Sequence, residues 1–290
     1  MPENYALKRF VIACNPQLAE SYQVAEKISA FLMQHGAEHT ECASIYDEQM
    51  QAKIEKDFFD AMITLGGDGT MLRASHLCAP QKIPIVGINL GTFGFLIELQ
   101  KQEWPKYFKR LIEGKYRIEE RMMLHAEHYR SEQLICSGEV VNEVVVCRGE
   151  LVRPVRLHAE VDGFAVASYN ADGLIAATAT GSTAYALAAG GAIMPPELRN
   201  ILLVPVAPHL SSDRAIILSE GAFVTIRVES SHQAVLSMDG HDPVIMENGD
   251  FVRVEASELN VYFIRFHDAG FFYRNLNRYM GQNPTVAKNK

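Results

Sequence analysis

The stretch that decides the fold reads Phe58-Phe59-Asp60-Ala61-Met62-Ile63-Thr64-Leu65-Gly66-Gly67-Asp68-Gly69-Thr70-Met71-Leu72-Arg73-Ala74-Ser75-His76-Leu77-Cys78. Phe58 to Leu65 is a short apolar run bounded by glycines, which predicts a buried strand. Thr70 to Cys78 carries a helical pattern that stops before Pro80. Strand, glycine-rich turn and helix in that order form half of a parallel strand–helix–strand unit. In open α/β sheets ligands bind at the carboxyl ends of such strands. Glycines permit positive φ and let backbone N–H groups approach an anion closely. The helix that follows adds its N-terminal donors and dipole. Asp68 is the odd member. A carboxylate among phosphate-facing amides is unfavourable unless it takes a proton from an attacking hydroxyl or orients a Mg²⁺. The competing reading is a structural turn with an exposed Asp. Gly66 to Thr70 points to phosphate chemistry and does not choose a substrate.

Outward from this loop the same alternation continues. Arg9 to Cys14 reads as a strand, Glu20 to His35 as a helix with Val24, Ile28, Phe31 and Leu32 on one face, and Thr40 to Tyr46 as a second strand. Ile83 to Ile88 follows as another apolar strand and Gln102 to Gly114 as a helix. Strands alternating with helices imply a parallel sheet covered on both faces. Beyond it the period changes to two. Tyr116 to His128, Glu139 to Cys147, Val155 to Asp162, Phe164 to Tyr169, Ala222 to Glu229, Ala234 to Asp239, Phe251 to Glu255 and Val261 to Phe266 read as short strands of a layered β structure. A helix over Thr183 to Ala189 interrupts them. The boundary falls between Lys115 and Glu120, and Thr285 to Lys290 reads as a disordered tail.

With 290 residues, 48% of them hydrophobic and 21% charged, the chain has the composition of an ordinary globular protein of one large or two smaller domains. A formal net charge of -8 argues against a nucleic-acid surface, which needs a basic face. An anionic substrate must then be held by backbone N–H groups, helix N-termini and a bound cation. Cys14, Cys42, Cys78, Cys136 and Cys147 are odd in number and widely spaced, the pattern of reduced thiols in a cytoplasmic protein. Glu3, Lys8 and Arg9 interrupt the N-terminus before any apolar signal sequence. The uncharged run Gly173 to Pro196 is too rich in Gly, Ser and Thr for a membrane span. His35 and His39 straddle a helix end, and His125 and His128 fall on opposite faces of a strand. The histidines thus give no metal cluster, and no protein metal cage is expected.

A second constellation runs Asp172-Gly173-Leu174-Ile175-Ala176-Ala177-Thr178-Ala179-Thr180-Gly181-Ser182-Thr183-Ala184-Tyr185-Ala186-Leu187-Ala188-Ala189-Gly190-Gly191. A strand leads into hydroxyl-rich residues and a small-residue helix, with Thr180 or Ser182 as its cap. Tyr185 offers an aromatic face and a polar tip. On composition alone a tightly packed core helix explains the run better than a binding site does. Asn142-Glu143 stands inside the β-branched run Val140 to Val146, where two polar residues are costly to bury without partners. That favours a site over an exposed bulge.

Taken with Gly66 to Thr70, this twenty-residue run resembles the NAD kinase family. Gly87 to Leu96 resembles that family's Asn-x-Gly-x-x-Gly-Phe-Leu loop, and Glu120-Arg121-Met122 its entry to the second domain. Asn142-Glu143, Ala207-Pro208-His209 with Arg214, and Asp239-Gly240 follow in the family's order. The resemblance covers about Ile63 to Gly240. The chain departs from it at Ala179, where Pro is common, at Ala188, where Ser is common, and at Ala215, where Pro is common.

The resemblance implies an N-terminal Rossmann-like α/β domain, residues 1–118 together with about 268–290. A β-sandwich-like NAD-binding domain, 119–267, follows, and the C-terminal segment near Phe271 to Met280 returns to the first. It implies transfer of the terminal phosphoryl group of ATP to the 2′-hydroxyl of the adenosine ribose of NAD, with Mg²⁺ as cofactor. Asp68 would be the catalytic base and Gly66, Gly67, Gly69 and Thr70 the phosphate loop. Asn142 and Glu143 would hold the adenosine half. Phe95, Thr180, Thr183, Ala184 and Tyr185 would line the adenine and dinucleotide pocket, and Asp172, Ala188, Ala207 and His209 would surround the rest of NAD. A homotetramer or homodimer in the cytoplasm is implied, without nucleic-acid or membrane partners. A non-catalytic dinucleotide sensor and a lipid kinase of the diacylglycerol type are the alternatives.

Overall fold

The structure is a computed structural model that describes residues 7–91, 94–149, 153–209 and 214–282. Thr92 and Phe93 of the Gly87 to Leu96 loop and the expected tail at Thr285 to Lys290 lie outside the described residues. The chain divides into two compact units, one of residues up to Glu120 and from Val261 onward, the other Arg121–Asn260.

The first unit begins with β1 (Arg9–Cys14), α1 (Glu20–Gln34), β2 (His39–Ser44), α2 (Glu48–Lys56), β3 (Ala61–Gly66), α3 (Asp68–Cys78), β4 (Ile85–Asn89), the two-residue β5 (Leu99–Gln100) and α4 (Trp104–Ile112). The strands pair in parallel in the order β2-β1-β3-β4. Every residue of β3 and β4 is buried, because helices cover a parallel sheet on both faces. Val24, Ile28 and Leu32 of α1 and Phe108 and Leu111 of α4 pack on Phe10, Ile12, Ile63 and Ile88. Ile264 and Phe266 join the same core, so the C-terminal segment belongs to this unit.

Helix α2 is absent from the sequence reading. It has only Met50 and Ile54 as buried residues, a stripe one side chain wide. Its start is marked by Asp47, whose carboxylate accepts the Gln49 N–H at 2.8 Å.

The second unit holds most of β6 (Arg117–Arg130), then β7 (Gln133–Val140), β8 (Glu143–Arg148), β9 (Val155–Val161), β10 (Phe164–Ala171), β11 (Gly173–Ala177), a 3₁₀ turn (Gly181–Thr183) and the single-turn α5 (Tyr185–Ala188). There follow β12 (Ile201–Val206), β13 (Ile216–Leu218), β14 (Val224–Val228), β15 (Ala234–Met238), β16 (Val244–Met246) and β17 (Phe251–Arg265), which runs into the first unit and leads to α6 (Phe271–Gln282). One antiparallel sheet has the order β13-β12-β11-β8-β15-β16. The other strands pair as β10-β9-β14-β17 and β6-β7. Val144, Leu174, Leu203 and Leu236 of the six-stranded sheet face Leu157, Tyr169, Ile226 and Val252 in one core. This is the expected sandwich. The opposite face of the six-stranded sheet is also covered, by Ala179, Ala186 and Met194 on Val145, Ile175, Leu202 and Val204. Burial on both faces removes the period-2 signal, which is why β12 was not foreseen. Pro205 within it also reads against a strand.

Three expectations need correction. Glu139 to Cys147 is not one strand: it breaks at Val141-Asn142, where β7 leaves for one sheet and β8 for the other. Phe251 to Glu255 and Val261 to Phe266 are not two strands but parts of the continuous β17. Thr183 to Ala189 is not one helix. The 3₁₀ turn and α5 are separated by Ala184, whose φ of -97° and ψ of -125° lie outside helical space.

Candidate active site

Gly66 closes β3, Gly67 is extended, and Asp68 opens α3. None of Gly66, Gly67 and Gly69 has a positive φ, contrary to the usual reason for glycine in such a loop. Gly66 is required from within: a Cβ there would stand 2.1 Å from Thr70 Oγ1. Gly67 and Gly69 are different, for a Cβ on either would meet nothing within 4 Å. The fold does not require them, and the first turn of α3 is left open to anything approaching its N–H groups.

Asp68 is anchored, not loose. Its Oδ2 accepts the Phe95 N–H at 2.7 Å and its Oδ1 the Leu96 N–H at 3.1 Å. A Cβ on Gly94 would lie 2.2–2.3 Å from that carboxylate, so Gly94 is fixed by this close approach. Phe95, next to Gly94 in the chain, packs on Tyr279 with ring centroids 4.5 Å apart and the ring planes tilted by 34°.

In the second unit the break between β7 and β8 is held by one carboxylate. Asp239 accepts the N–H groups of Val141 at 2.7 Å, Asn142 at 2.8 Å and Glu143 at 3.0 Å. Asp239 and Gly240 both adopt positive φ, +50° and +73°, so the tight turn after β15 aims that carboxylate back at the break. The Asn142 carbonyl accepts Thr178 N–H at 2.9 Å, and a Cβ on Gly181 would come within 2.0 Å of it. Thr178 donates its hydroxyl to Val141 O at 2.6 Å and accepts Gly181 N–H at 3.0 Å. Neither the Thr180 nor the Ser182 hydroxyl caps a helix as expected: the first N–H of the 3₁₀ turn goes to the Thr178 hydroxyl, and α5 has no side-chain cap. Thr180 Oγ1 instead takes a bond from Arg121 at 3.1 Å, and Ser182 bonds Ala179 O and Met194 N.

Glu143 is the least satisfied group of the cluster. It is 8% exposed, and its Oε2 has no hydrogen-bond partner among the described residues. Burial, reinforced by the Asp239 charge and opposed by the Tyr185 N–H, pushes its carboxyl up to about 8. A buried polar atom left unpaired is costly unless a ligand takes it. Tyr185 stands half-exposed at the head of α5, with Thr183 and Ala184 just before it and Ala188 at its end. Asp172 meets Arg148 Nε at 3.2 Å. Ala207, at φ +46°, and His209 are exposed, and the His209 N–H is tied to Asn170 O at 2.7 Å.

The predicted residues thus form two groups, one in each unit: Gly66 to Thr70 with Phe95, and Asn142, Glu143 and Asp172 with Thr180 to Ala188. The sequence reading passed over Thr178, Arg265 and Tyr279. Thr178 carried a signal, a hydroxyl directly after a buried strand; Tyr279 carried none beyond being apolar.

The chain matches two family models, the ATP-NAD kinase N-terminal domain over residues 46–116 and the ATP-NAD kinase C-terminal domain over residues 141–266. A Chloroflexus aurantiacus protein named NAD kinase is 36% identical over 270 residues, 93% of this chain and 97% of that one. A Heliobacterium modesticaldum protein of the same name is 37% identical, over 90% and 94% of the two chains. The crystal structure of yeast NADH kinase complexed with NADH superposes with a TM-score of 0.80 at 25% identity, covering 99% of this chain and 91% of that one. An Archaeoglobus fulgidus NAD kinase solved in complex with ATP shares the fold, with a TM-score of 0.74 at 24% identity, over 93% of this chain and 98% of that one.

Proposed function

Since the chain belongs to the NAD kinase family, we infer that it transfers the terminal phosphoryl group of ATP to the 2′-hydroxyl of the adenosine ribose of NAD, giving NADP. Phosphoryl transfer depends on alignment and on neutralising charge, with little covalent chemistry for the protein. In this reading the phosphates of ATP lie over Gly66, Gly67, Gly69 and Thr70 and take N–H groups of the first turn of α3. The observation that carries it is the open space over Gly67 and Gly69, two glycines that the fold itself does not need.

Asp68 is assigned as the base. Two amides hold its carboxylate in one orientation, from which it would accept the proton of the ribose hydroxyl as the bond to phosphorus forms and the bond to the departing ADP breaks. A Mg²⁺ ion bound with the triphosphate would supply neutralisation of its charge. Such an ion needs only one or two protein carboxylates, and Asp68 is an oxygen donor of the right hardness at the mouth of α3. Asn142 and Glu143 are assigned to the adenosine half, where the unpaired Glu143 Oε2 meets a ribose hydroxyl. Phe95 of the first unit and Thr180, Thr183, Ala184 and Tyr185 of the second are assigned to contacts with the dinucleotide, as are Asp172, Ala188, Ala207 and His209. We assign the chain to the cytoplasm and to a homotetramer or homodimer, checked by light scattering on the eluted protein. No helix among the described residues is long and apolar enough to cross a membrane.

The test is an incubation with NAD, ATP and Mg²⁺ followed for NADP. A positioned general base contributes about 10²–10⁴-fold, so Asp68→Asn is expected to lose turnover in that range and to keep NAD binding. Unchanged turnover removes Asp68 from the role.

A further inference from the structure

The segment Gly94–Leu96 is gripped from a second side by residues that no step above uses. Leu96 gives its N–H to Asp68 and its carbonyl to Arg265, whose Nη1 donates at 2.8 Å. Arg265 ends β17 and is buried. Its Nε donates to Glu119 Oε1 at 3.0 Å, and Arg117 donates to Glu119 Oε2 at 2.9 Å. A buried guanidinium is expensive unless its fork is filled. Here one arm takes a carboxylate and the other a backbone carbonyl, so Leu96 is pinned at both ends of one residue.

Phe95 is held in parallel. Its ring lies on Tyr279 of α6, a residue only 4% exposed. Burial first, with the charges of Glu98 and Asp68 adding and those of Arg265 and Arg278 opposing, pushes the Tyr279 phenol up to about 12. It stays protonated, within the field of Asp68. The chain leaving β17 toward α6 is held by Glu98, which accepts the N–H groups of Phe266 at 2.8 Å and His267 at 3.0 Å and meets His267 Nδ1 at 2.7 Å.

We propose that Arg265 and Tyr279 are positioning residues for Asp68: they fix Leu96 and Phe95 from behind, so that two backbone amides hold the carboxylate in the geometry the transfer needs. Neither touches substrate. The proposal rests on the reading of Asp68 as the base. Its consequence is a defect in turnover that exists only while Asp68 is a carboxylate.

The test is a double-mutant cycle on the full chain. In Arg265→Lys a single ammonium replaces the fork and cannot serve Leu96 O and Glu119 together. Small misplacements of a catalytic group cost up to about 10²-fold, and a loss of about 10-fold in kcat is expected, with the NAD dissociation constant moving by less than about 3-fold. In the Asp68→Asn background the same substitution is expected to change the residual rate by less than about 2-fold, because the group it positions is gone. Tyr279→Leu behaves alike and carries the cycle where Arg265→Lys does not fold; Tyr279→Phe, which keeps the ring, restores most of the rate. Losses that multiply in the double variant, or a kcat that Arg265→Lys and Tyr279→Leu leave unchanged, overturn the positioning role while Asp68 remains the base. Unchanged turnover in Asp68→Asn alone overturns the reading of the base, and the proposal with it.

Discussion

Asp68, the first residue of α3, and Glu143, the first residue of β8, are both acidic, and the chain treats them in opposite ways. Asp68 has each oxygen on a backbone amide. Glu143 has one oxygen buried with no partner among the described residues, and the neighbouring Asp239 charge pushes against its ionisation. A carboxylate that accepts two backbone N–H bonds is held in one orientation. A carboxyl kept neutral by burial offers an O–H as well as an acceptor. The first suits a group that must receive a proton in a fixed direction. The second suits a group that grips hydroxyls. The difference lies in what surrounds each residue, and in the second unit that surrounding is built by Asp239.

The strongest way to break this comparison is to remove Asp239. Its carboxylate satisfies three consecutive N–H groups at the junction of β7 and β8. An unsatisfied buried donor costs about 1–3 kcal/mol, and some of the three N–H groups will find water, so Asp239→Ala is expected to lower unfolding free energy by about 3–5 kcal/mol. Denaturant titration checks it. A loss under about 1 kcal/mol means that the junction is held by the Thr178 contacts instead.

A smaller effect separates glycines that the fold needs from those a ligand needs. Gly67→Ala puts a methyl group into open space at a backbone conformation that any residue adopts. Its melting temperature is expected to stay within about 2 °C of the parent, while the KM for ATP rises about 10-fold because phosphate can no longer approach the N–H groups. Gly66→Ala drives a Cβ onto Thr70 and is expected to lose stability outright. If both variants lose stability alike and neither changes the ATP dependence, the loop is a structural turn.

The same contrast explains what could be read in the sequence. The Phe58 to Cys78 stretch was legible because strand, turn and helix are local patterns, each set by its own residues. Asn142-Glu143 stood out because polar residues in a β-branched run demand partners. The partners themselves were not legible. Asp239 lies 96 residues from Glu143, and its Asp-Gly pair has the composition of any tight turn. The caps of the Thr178 to Ala188 segment were misassigned because the hydroxyls of Thr178, Thr180, Ser182 and Thr183 compete there, and the choice is made by the Asn142 carbonyl and Val141 carbonyl. Tyr279 and Arg265 reach the Gly94–Leu96 segment only after the chain has crossed the whole second unit.

The finest test concerns the proton on Glu143. Its folded-state carboxyl sits at about 8 against an unperturbed 4.5, so the folded state binds a proton over that interval that the unfolded chain has already lost. Stability contributed by the neutral form is complete below the unfolded value and declines as pH rises from about 4.5 toward 8. A single proton sets a slope of at most about 1.4 kcal/mol per pH unit. Glu143→Gln keeps the shape and removes the titration, so the unfolding free energy of the variant should fall less steeply than that of the parent between pH 5 and pH 8, by up to that slope. The two profiles should differ most at the alkaline end, where the parent has had to ionise a group beside Asp239 and the variant has not. Parallel profiles would mean that Glu143 ionises at its ordinary value, and that the contrast with Asp68 lies in geometry alone.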